Sequence, residues 1–430
     1  MKKFVLSAAF VAAFASVSAQ KFTFVPFTEN ALMTGTTISN NGKYVGGCDT
    51  EGRAFIHSIE TGKTKYFYSP QLEGGDGQND ATVNFISNDG VGVGYMEGNA
   101  ATFDFATGEY KEKELGDNSL FKYSSEDGST ICGNTYDNTY KQYPFYMKDG
   151  VKYDLPTLTD EELGYETNGF STVAMSADGS LIVGGPLENF GTIPMMLWRL
   201  SDDKQSYTPE YLAQDYFDGS FDLDGNQPYD EFEAAAISAN GKWIAVNIHD
   251  KTGEHGAVFG RYNVEDKTFQ PIECPEENTN LWYWANDISN DGTIIGYTED
   301  QSTQACNAMI CKAGETEAKY MSEVFPSLTQ LTVMDMYELN RPCAITPDGR
   351  YIMGYGYTDF DEENLCYATY YIDTLGEGTG ITNAAESTAS NKVVATYGID
   401  GKKLAAGTRG NFRGIVINKL ANGKVVKTVK

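Results

Sequence analysis

Ile288-Ser289-Asn290-Asp291-Gly292-Thr293-Ile294-Ile295-Gly296 is one of seven copies of a short unit in a chain of 430 residues. The others begin at Ile38, Ile86, Tyr123, Met175, Ile237 and Ile345. Each runs apolar residue, Ser or Thr, any residue, Asp or Asn, Gly, then apolar residues, usually closed by a second Gly. The third copy opens Tyr123-Ser124-Ser125, and Val246 replaces the closing Gly of the fifth. The turn glycines are Gly42, Gly90, Gly128, Gly179, Gly241, Gly292 and Gly349. Their period of roughly 40 to 60 residues is that of a repeat architecture.

Asp-Gly or Asn-Gly between apolar runs is a hairpin signal, because Gly accepts the positive φ of a tight turn. The preceding Ser can bond the turn backbone. After the turn come runs such as Leu181-Ile182-Val183 and Tyr351-Ile352-Met353, which suit a strand buried on both faces. A third strand follows in most copies, as at Ala54-Phe55-Ile56-His57, and a Thr-Gly or similar turn leads to a fourth. Four strands per repeat is a propeller blade. The expected fold class is all-β: a seven-bladed β-propeller of four-stranded antiparallel blades, plus a short C-terminal β tail. Residues 22–27 read as a strand standing before the first repeat, and the last repeat is one strand short. The two together would complete the last blade, closing the ring without an exposed edge.

The N-terminus has a basic start at Met1-Lys2-Lys3, an apolar run from Phe4 to Phe14 too short for a bilayer, and small residues before Gln20. Residues 1–19 therefore read as a signal peptide, residues 20–375 as the propeller, 376–391 as a linker and 392–430 as a separate β tail. No later segment has the length of apolar sequence of a transmembrane segment. The formal charge is −28, with 28 Tyr, 23 Phe and 45 Gly, a turn-rich all-β composition. The tail reverses the sign: residues 391–430 hold nine Lys+Arg and a single acid, Asp400. An acidic body disfavours nucleic acid and anionic membranes, and it also serves solubility.

The repeats resemble secreted HAF-type repeats and the WD-like blades of the Tol-associated propeller, through the Ser-x-Asp-Gly core and the aromatic strand after it. The likeness covers residues 38 to about 373 and is nearly silent on function. The tail resembles the C-terminal sorting domain of the type IX secretion pathway at Thr396-Tyr397-Gly398-Ile399-Asp400-Gly401-Lys402, Arg413-Gly414-Ile415-Val416-Ile417 and Gly423-Lys424-Val425-Val426-Lys427. That resemblance implies passage across the outer membrane, with export machinery as the tail's partner, and release or attachment at the cell surface. The tail is shorter than the usual sorting domain.

Candidate sites are few. Asp222, Asp224, Asn226, Asp230 and Glu233 stand at positions 1, 3, 5, 9 and 12 of a calcium-loop template, so their oxygens can converge on one Ca²⁺. Gln227 stands where the template wants Gly and no helix flanks it, so a solvated acidic loop is the competing reading, and no cofactor is required. Trp282-Tyr283-Trp284 precedes the innermost strand of the sixth blade; alternation puts Trp282 and Trp284 on one face. Flat aromatics at a propeller mouth can stack on sugar rings, although packing between blades explains them as well. Arg341 holds the equivalent place in the next blade and can bind a carboxylate bidentately; with Tyr229, Asp230 and Glu231 it forms a candidate rim cluster. The seven cysteines contain no Cys-x-x-Cys, and Cys306 and Cys311 fall on opposite faces of a strand. No Gly-x-Ser-x-Gly elbow occurs. The expected function is an exported surface or secreted binding module, monomeric, for a glycan or peptide. The alternatives are a propeller glycan hydrolase or lyase using acidic residues, and a structural envelope protein.

Overall fold

The computed structural model describes residues 21–24, 33–68, 80–116, 118–163, 166–188, 191–192, 195–212, 229–250, 256–276, 278–325, 336–361, 364–375, 393–398, 415–420 and 425–429. The signal-peptide reading of residues 1–19 and the linker 376–391 lie outside them. The chain divides into two compact units, Ala19–Gly376 and one holding the C-terminal strands. In the second unit, Val393–Gly398, Ile415–Leu420 and Val425–Val429 form a three-stranded antiparallel sheet with Ile415–Leu420 in the middle. Among the described residues, no helix is long and apolar enough to cross a membrane.

Among its described residues the first unit is all-β apart from two single-turn helices, Asp160–Leu163 and Met321–Val324. Its strands pair with their sequence neighbours into four-stranded antiparallel sheets, such as the one containing Ala81–Ile86, Val91–Met96, Asn99–Asp104 and Glu109–Lys113. One sheet gains a two-residue strand, Gly191–Thr192. Another path of eight strands is two four-stranded runs joined by one parallel pair, Ala257↔Trp282. The last sheet takes its fourth strand from the start of the unit. Lys21–Phe24 pairs antiparallel with the strand Asn364–Asp373, Phe22 opposite Ile372 and Phe24 opposite Tyr370. The closing strand is thus where the sequence puts it, ending at Phe24 in the described residues.

The repeated corner has one physical design. The turn Gly donates its N–H to the carbonyl of the Ser or Thr three residues earlier, at 2.8–3.1 Å in all seven copies. Each of those glycines has φ between +69° and +92°, the left-handed region that L side chains avoid. The Ser or Thr hydroxyl donates to the Asp or Asn oxygen two residues on, at 2.6–2.8 Å in six copies, and Ser87 makes the same bond to Asp89. The corner backbone is satisfied by its own side chains, so it can end a strand without water.

Successive corners are also tied to each other. Asn41 N–H donates to Asn88 Oδ1, Asn88 N–H to Glu126 Oε1, and Glu126 N–H to the Ala177 carbonyl, at 2.7, 2.6 and 2.8 Å. Ala177 N–H continues to Ala239 O, Asn240 N–H to Asn290 Oδ1, and Asn290 N–H to Pro347 O. Tyr371 of the last sheet donates back to Gly42 O of the first corner at 3.1 Å. The core follows the same path. Ile38, Val45 and Phe55 of the first sheet pack with Ala344, Met353 and Tyr371 of the last, and similar clusters lie between the other neighbours. Fully burying each Phe or Ile contributes about 1.5–3 kcal/mol.

The strands that run into the corners share a further feature. Each carries a register break with one extra residue: Thr36, Asn84, Lys122, Val173, Ala235, Asn286 and Cys343. Such bulges bend a strand and aim the extra residue out of the ladder. They also explain the closing Gly of the motif. A Cβ on Gly47, Gly94, Gly133, Gly184, Gly296 or Gly354 would fall 1.9–2.3 Å from the carbonyl of the residue two before the bulge. Val246 fills this place in the fifth copy, and nothing in the structure explains that exception.

Two glycine substitutions separate these roles. Gly184→Ala sets a methyl 1.9 Å from the Ser171 carbonyl and should destabilise by about 3 kcal/mol or more. Gly128→Ala meets no atom within 4 Å and carries only the cost of φ +69°, about 1–2 kcal/mol. Thermal unfolding of the two variants measures the difference.

Candidate functional site

The seven bulge residues converge on one cavity of about 240 Å³, with all seven innermost strands in its lining. Three of them use their side chains to hold the next sheet. Thr36 Oγ1 donates to Val83 O at 3.1 Å, Asn84 Nδ2 to Phe121 O at 2.7 Å, and Asn286 Nδ2 to Pro342 O at 2.7 Å. Asp287, next to the bulge, does the same as an acceptor: Oδ1 takes Ile288 N–H and Oδ2 takes Ile345 N–H, both at 2.8 Å. Burial pushes its carboxyl up to about 7, against those two hydrogen bonds, which lower it. Burial and the Asp287 charge raise the Tyr123 phenol, and burial lowers the Lys122 ammonium.

The aromatic candidates lie beyond the bulge, toward the start of the innermost strand Leu281–Ile288. The structure corrects one expectation: Trp282 and Trp284 are inside this strand, not before it. Alternation holds as the sequence implies. Leu281, Tyr283 and Ala285 are buried against the preceding sheet, and Tyr283 Oη donates to Glu276 O at 3.1 Å. Trp282 and Trp284 are half-buried on the other face, ring centroids 5.6 Å apart and planes at 52°. The register sets Glu299 opposite Trp282 and Tyr297 opposite Trp284. Trp282 also leans over Gly256, where a Cβ would lie 1.9 Å from its indole nitrogen. The Trp284 indole nitrogen is buried and has no hydrogen-bond partner among the described residues.

Arg341 comes from the next innermost strand, Met336–Ile345, and sits opposite Tyr355 as Trp284 sits opposite Tyr297. Its guanidinium lies 4.6 Å from the Tyr297 ring centroid and its Nη2 is 3.6 Å from Glu299 Oε1 and 3.5 Å from Cys306 Sγ. Burial raises the Tyr297 phenol to about 12, with the Arg341 charge opposing. Trp282, Trp284, Tyr297, Glu299 and Arg341 therefore form one patch between two neighbouring sheets. Chemically it offers aromatic faces, a cation already stacked on one of them, and a carboxylate held by that cation. Glu299 and Tyr297 escaped the sequence reading. The signal was present: both fall just past the closing glycine Gly296, where Tyr95 and Tyr355 recur in other copies.

The remaining candidates are not brought together in the same way. Tyr229, Asp230 and Glu231 lie on the innermost strand Tyr229–Ile237, where Tyr229 pairs with Asp250 and Asp230 with His249; their side chains lie outside the described residues. Glu233 on that strand faces Asn247, at the position that Trp284 and Arg341 hold in the two following sheets. Asp222, Asp224 and Asn226, three of the five residues of the Ca²⁺ set, lie outside the described residues. No group of three or more His, Cys, Asp or Glu that could hold a metal occurs among the described residues. Cys306 and Cys311 do face opposite sheets, Cys306 toward Arg341 and Cys311 into the core with Phe259. Cys132 is a buried core residue.

No protein-family model matches the chain. No curated protein matches it either. Among solved structures it is similar to an oligogalacturonate lyase from Vibrio parahaemolyticus, at 12% identity, with a TM-score of 0.51, over 83% of this chain and 97% of that one. It is also similar to the Cps50 (Swd1) β-propeller domain from Myceliophteria thermophila, at 9% identity and TM-score 0.46, over 82% and 99%. A putative TolB from Agrobacterium tumefaciens matches at 11% identity and TM-score 0.42, over 74% and 96%. The likeness to the lyase is one of fold. With sheets set round one channel, the chain has a β-propeller repeat fold.

Two buried titrating groups act in opposite directions. Asp287 keeps its proton when folded up to about pH 7 but loses it near 3.8 when unfolded, so stability falls as pH rises across that window. His57, buried beside Thr64 and lowered to about 4, is neutral when folded; stability is full above 6.5 and falls as pH drops toward 4. Asp287→Asn should therefore make stability rise more steeply from pH 4 to 7, and His57→Gln should make it fall there. Urea unfolding across this range measures both slopes.

Proposed function

We propose that this protein is an exported seven-bladed β-propeller that binds a glycan or a peptide at the rim carrying Trp282, Trp284, Tyr297 and Arg341. The observation that carries the reading is the patch itself. Two tryptophans share one half-buried face, and a guanidinium lies over the neighbouring tyrosine. Stacked aromatics with adjacent polar tips match the apolar faces and hydroxyls of a sugar, or an aromatic side chain of a peptide. Among the described residues the patch has one carboxylate, Glu299, already engaged by Arg341. Glycoside hydrolysis uses two acids facing each other across the bond, one of them free to donate a proton. Binding therefore fits the patch better than hydrolysis. A lyase is the reading to test beside it, since a solved structure of similar fold is an oligogalacturonate lyase.

The basic start and apolar run of residues 1–19 support export through the periplasm to the outer surface. The basic tail from 392 to 430, with its resemblance to type IX sorting domains, supports a partner in the export machinery. A monomer fits a ring closed by its own first strand, whose pairing leaves the last sheet no free edge on that side.

The test is a glycan and peptide array probed with the full chain, with release of reducing ends or unsaturated products followed in parallel. Binding without turnover is expected, and Trp284→Ala or Arg341→Ala should weaken it at least about tenfold while Tyr140→Ala, at an exposed turn away from the patch, should not. Turnover that a single carboxylate substitution abolishes would reverse the choice. Binding unaffected by both patch variants would move the site elsewhere.

A further inference from the structure

We propose that the central channel is a second binding site, which takes a small anion, a carboxylate or a phosphate, at Lys122. The channel is lined by all seven bulge residues, and Lys122 is the one cation among the lining residues described. Its ammonium makes no hydrogen bond or ion pair within the described residues, although the side chain is half-buried. The ammonium is not among the fully buried polar atoms, so it stands at the channel wall where an entering ligand can reach it.

The fold does not explain Lys122. At the same bulge position Thr36, Asn84 and Asn286 tie their sheet to a carbonyl of the next one. Lys122 makes no such tie, and Val173 and Ala235 are apolar at that position, so the fold requires no polar group there. Asp287 is the acid in the lining, and both of its oxygens already accept backbone N–H groups. The space suffices for a ligand. About 240 Å³ exceeds a water's share of ~30 Å³ several times over, and it falls below the range of drug-sized sites. A small organic acid or an inorganic phosphate fits it. The burial that lowers the ammonium's affinity for its proton also supports this reading, since a bound anion would restore it.

The experiment is calorimetric titration of the full chain with sodium acetate, sodium succinate and inorganic phosphate, each in buffers matched for ionic strength with chloride. At least one arm should give saturable one-to-one binding, and the arm that does so identifies the chemistry. Lys122→Met should weaken it at least about tenfold, and Lys122→Arg should hold it within a few-fold. If Lys122→Met does not fold, acetylation of the unmodified chain read by mass spectrometry replaces it: saturating anion should slow modification of Lys122 and not of an exposed lysine such as Lys63. No saturable binding in any arm, unchanged affinity in Lys122→Met, or equal acetylation with and without anion would each overturn the proposal.

Discussion

The extra residue just ahead of each corner, in the strand that runs into it, is the constraint on which the rest of the first unit depends. In six of the seven copies the bulge drives the carbonyl two residues before it against the second strand, so close that a side chain there would collide with it. Only a residue without a Cβ passes without displacement, and six of seven copies supply glycine. The same bulge turns its own residue toward the axis. Thr36, Asn84 and Asn286 then reach the neighbouring sheet, and Lys122 reaches none. A local backbone irregularity thus sets packing, inter-sheet hydrogen bonds and the chemistry of the channel together.

Stability is distributed around the ring rather than held in one core. Each corner satisfies its own backbone, the first six donate to the next corner, Tyr371 links the last sheet back to the first, and each core cluster is shared by two sheets. A single repeat buries its apolar faces only when both neighbours are present. The first strand, pairing with Asn364–Asp373, therefore matters beyond its four residues: it joins the two ends of the array. The proposed binding patch lies where this regularity is relaxed. At the position held by Thr34, Thr82, Leu120 and Ser171 in other copies, two consecutive sheets carry Trp284 and Arg341, and the patch lies between them.

Much of this was legible in the sequence. The Ser-x-Asp-Gly corners announce themselves because a positive φ and a self-bonded turn admit few residue types. The closing strand was legible because the last repeat lacked one. The face shared by Trp282 and Trp284 follows from strand alternation alone. The bulges were not legible, because Thr, Asn, Lys, Val, Ala, Asn and Cys occupy them and no residue type marks the place. Glu299 and Tyr297 were missed for another reason: they stand on the strand after the corner, Ile294–Asp300, a kind of run the sequence reads as buried on both faces. The contact of Arg341 with Tyr297 is a meeting of two sheets, 44 residues apart in the chain, and no local pattern encodes it.

The direct measurement is the stability of the chain with Ala235 deleted, set beside Ala235→Gly. Ala235 is the bulge residue of the strand Tyr229–Ile237, and its small side chain makes the deletion a test of backbone alone. The deletion should lower the melting temperature by about 10 °C or more, or abolish cooperative unfolding, while Ala235→Gly should shift it by only about 2–4 °C. A deletion variant that melts within about 2 °C of the unaltered protein would contradict the claim that the bulges organise the fold.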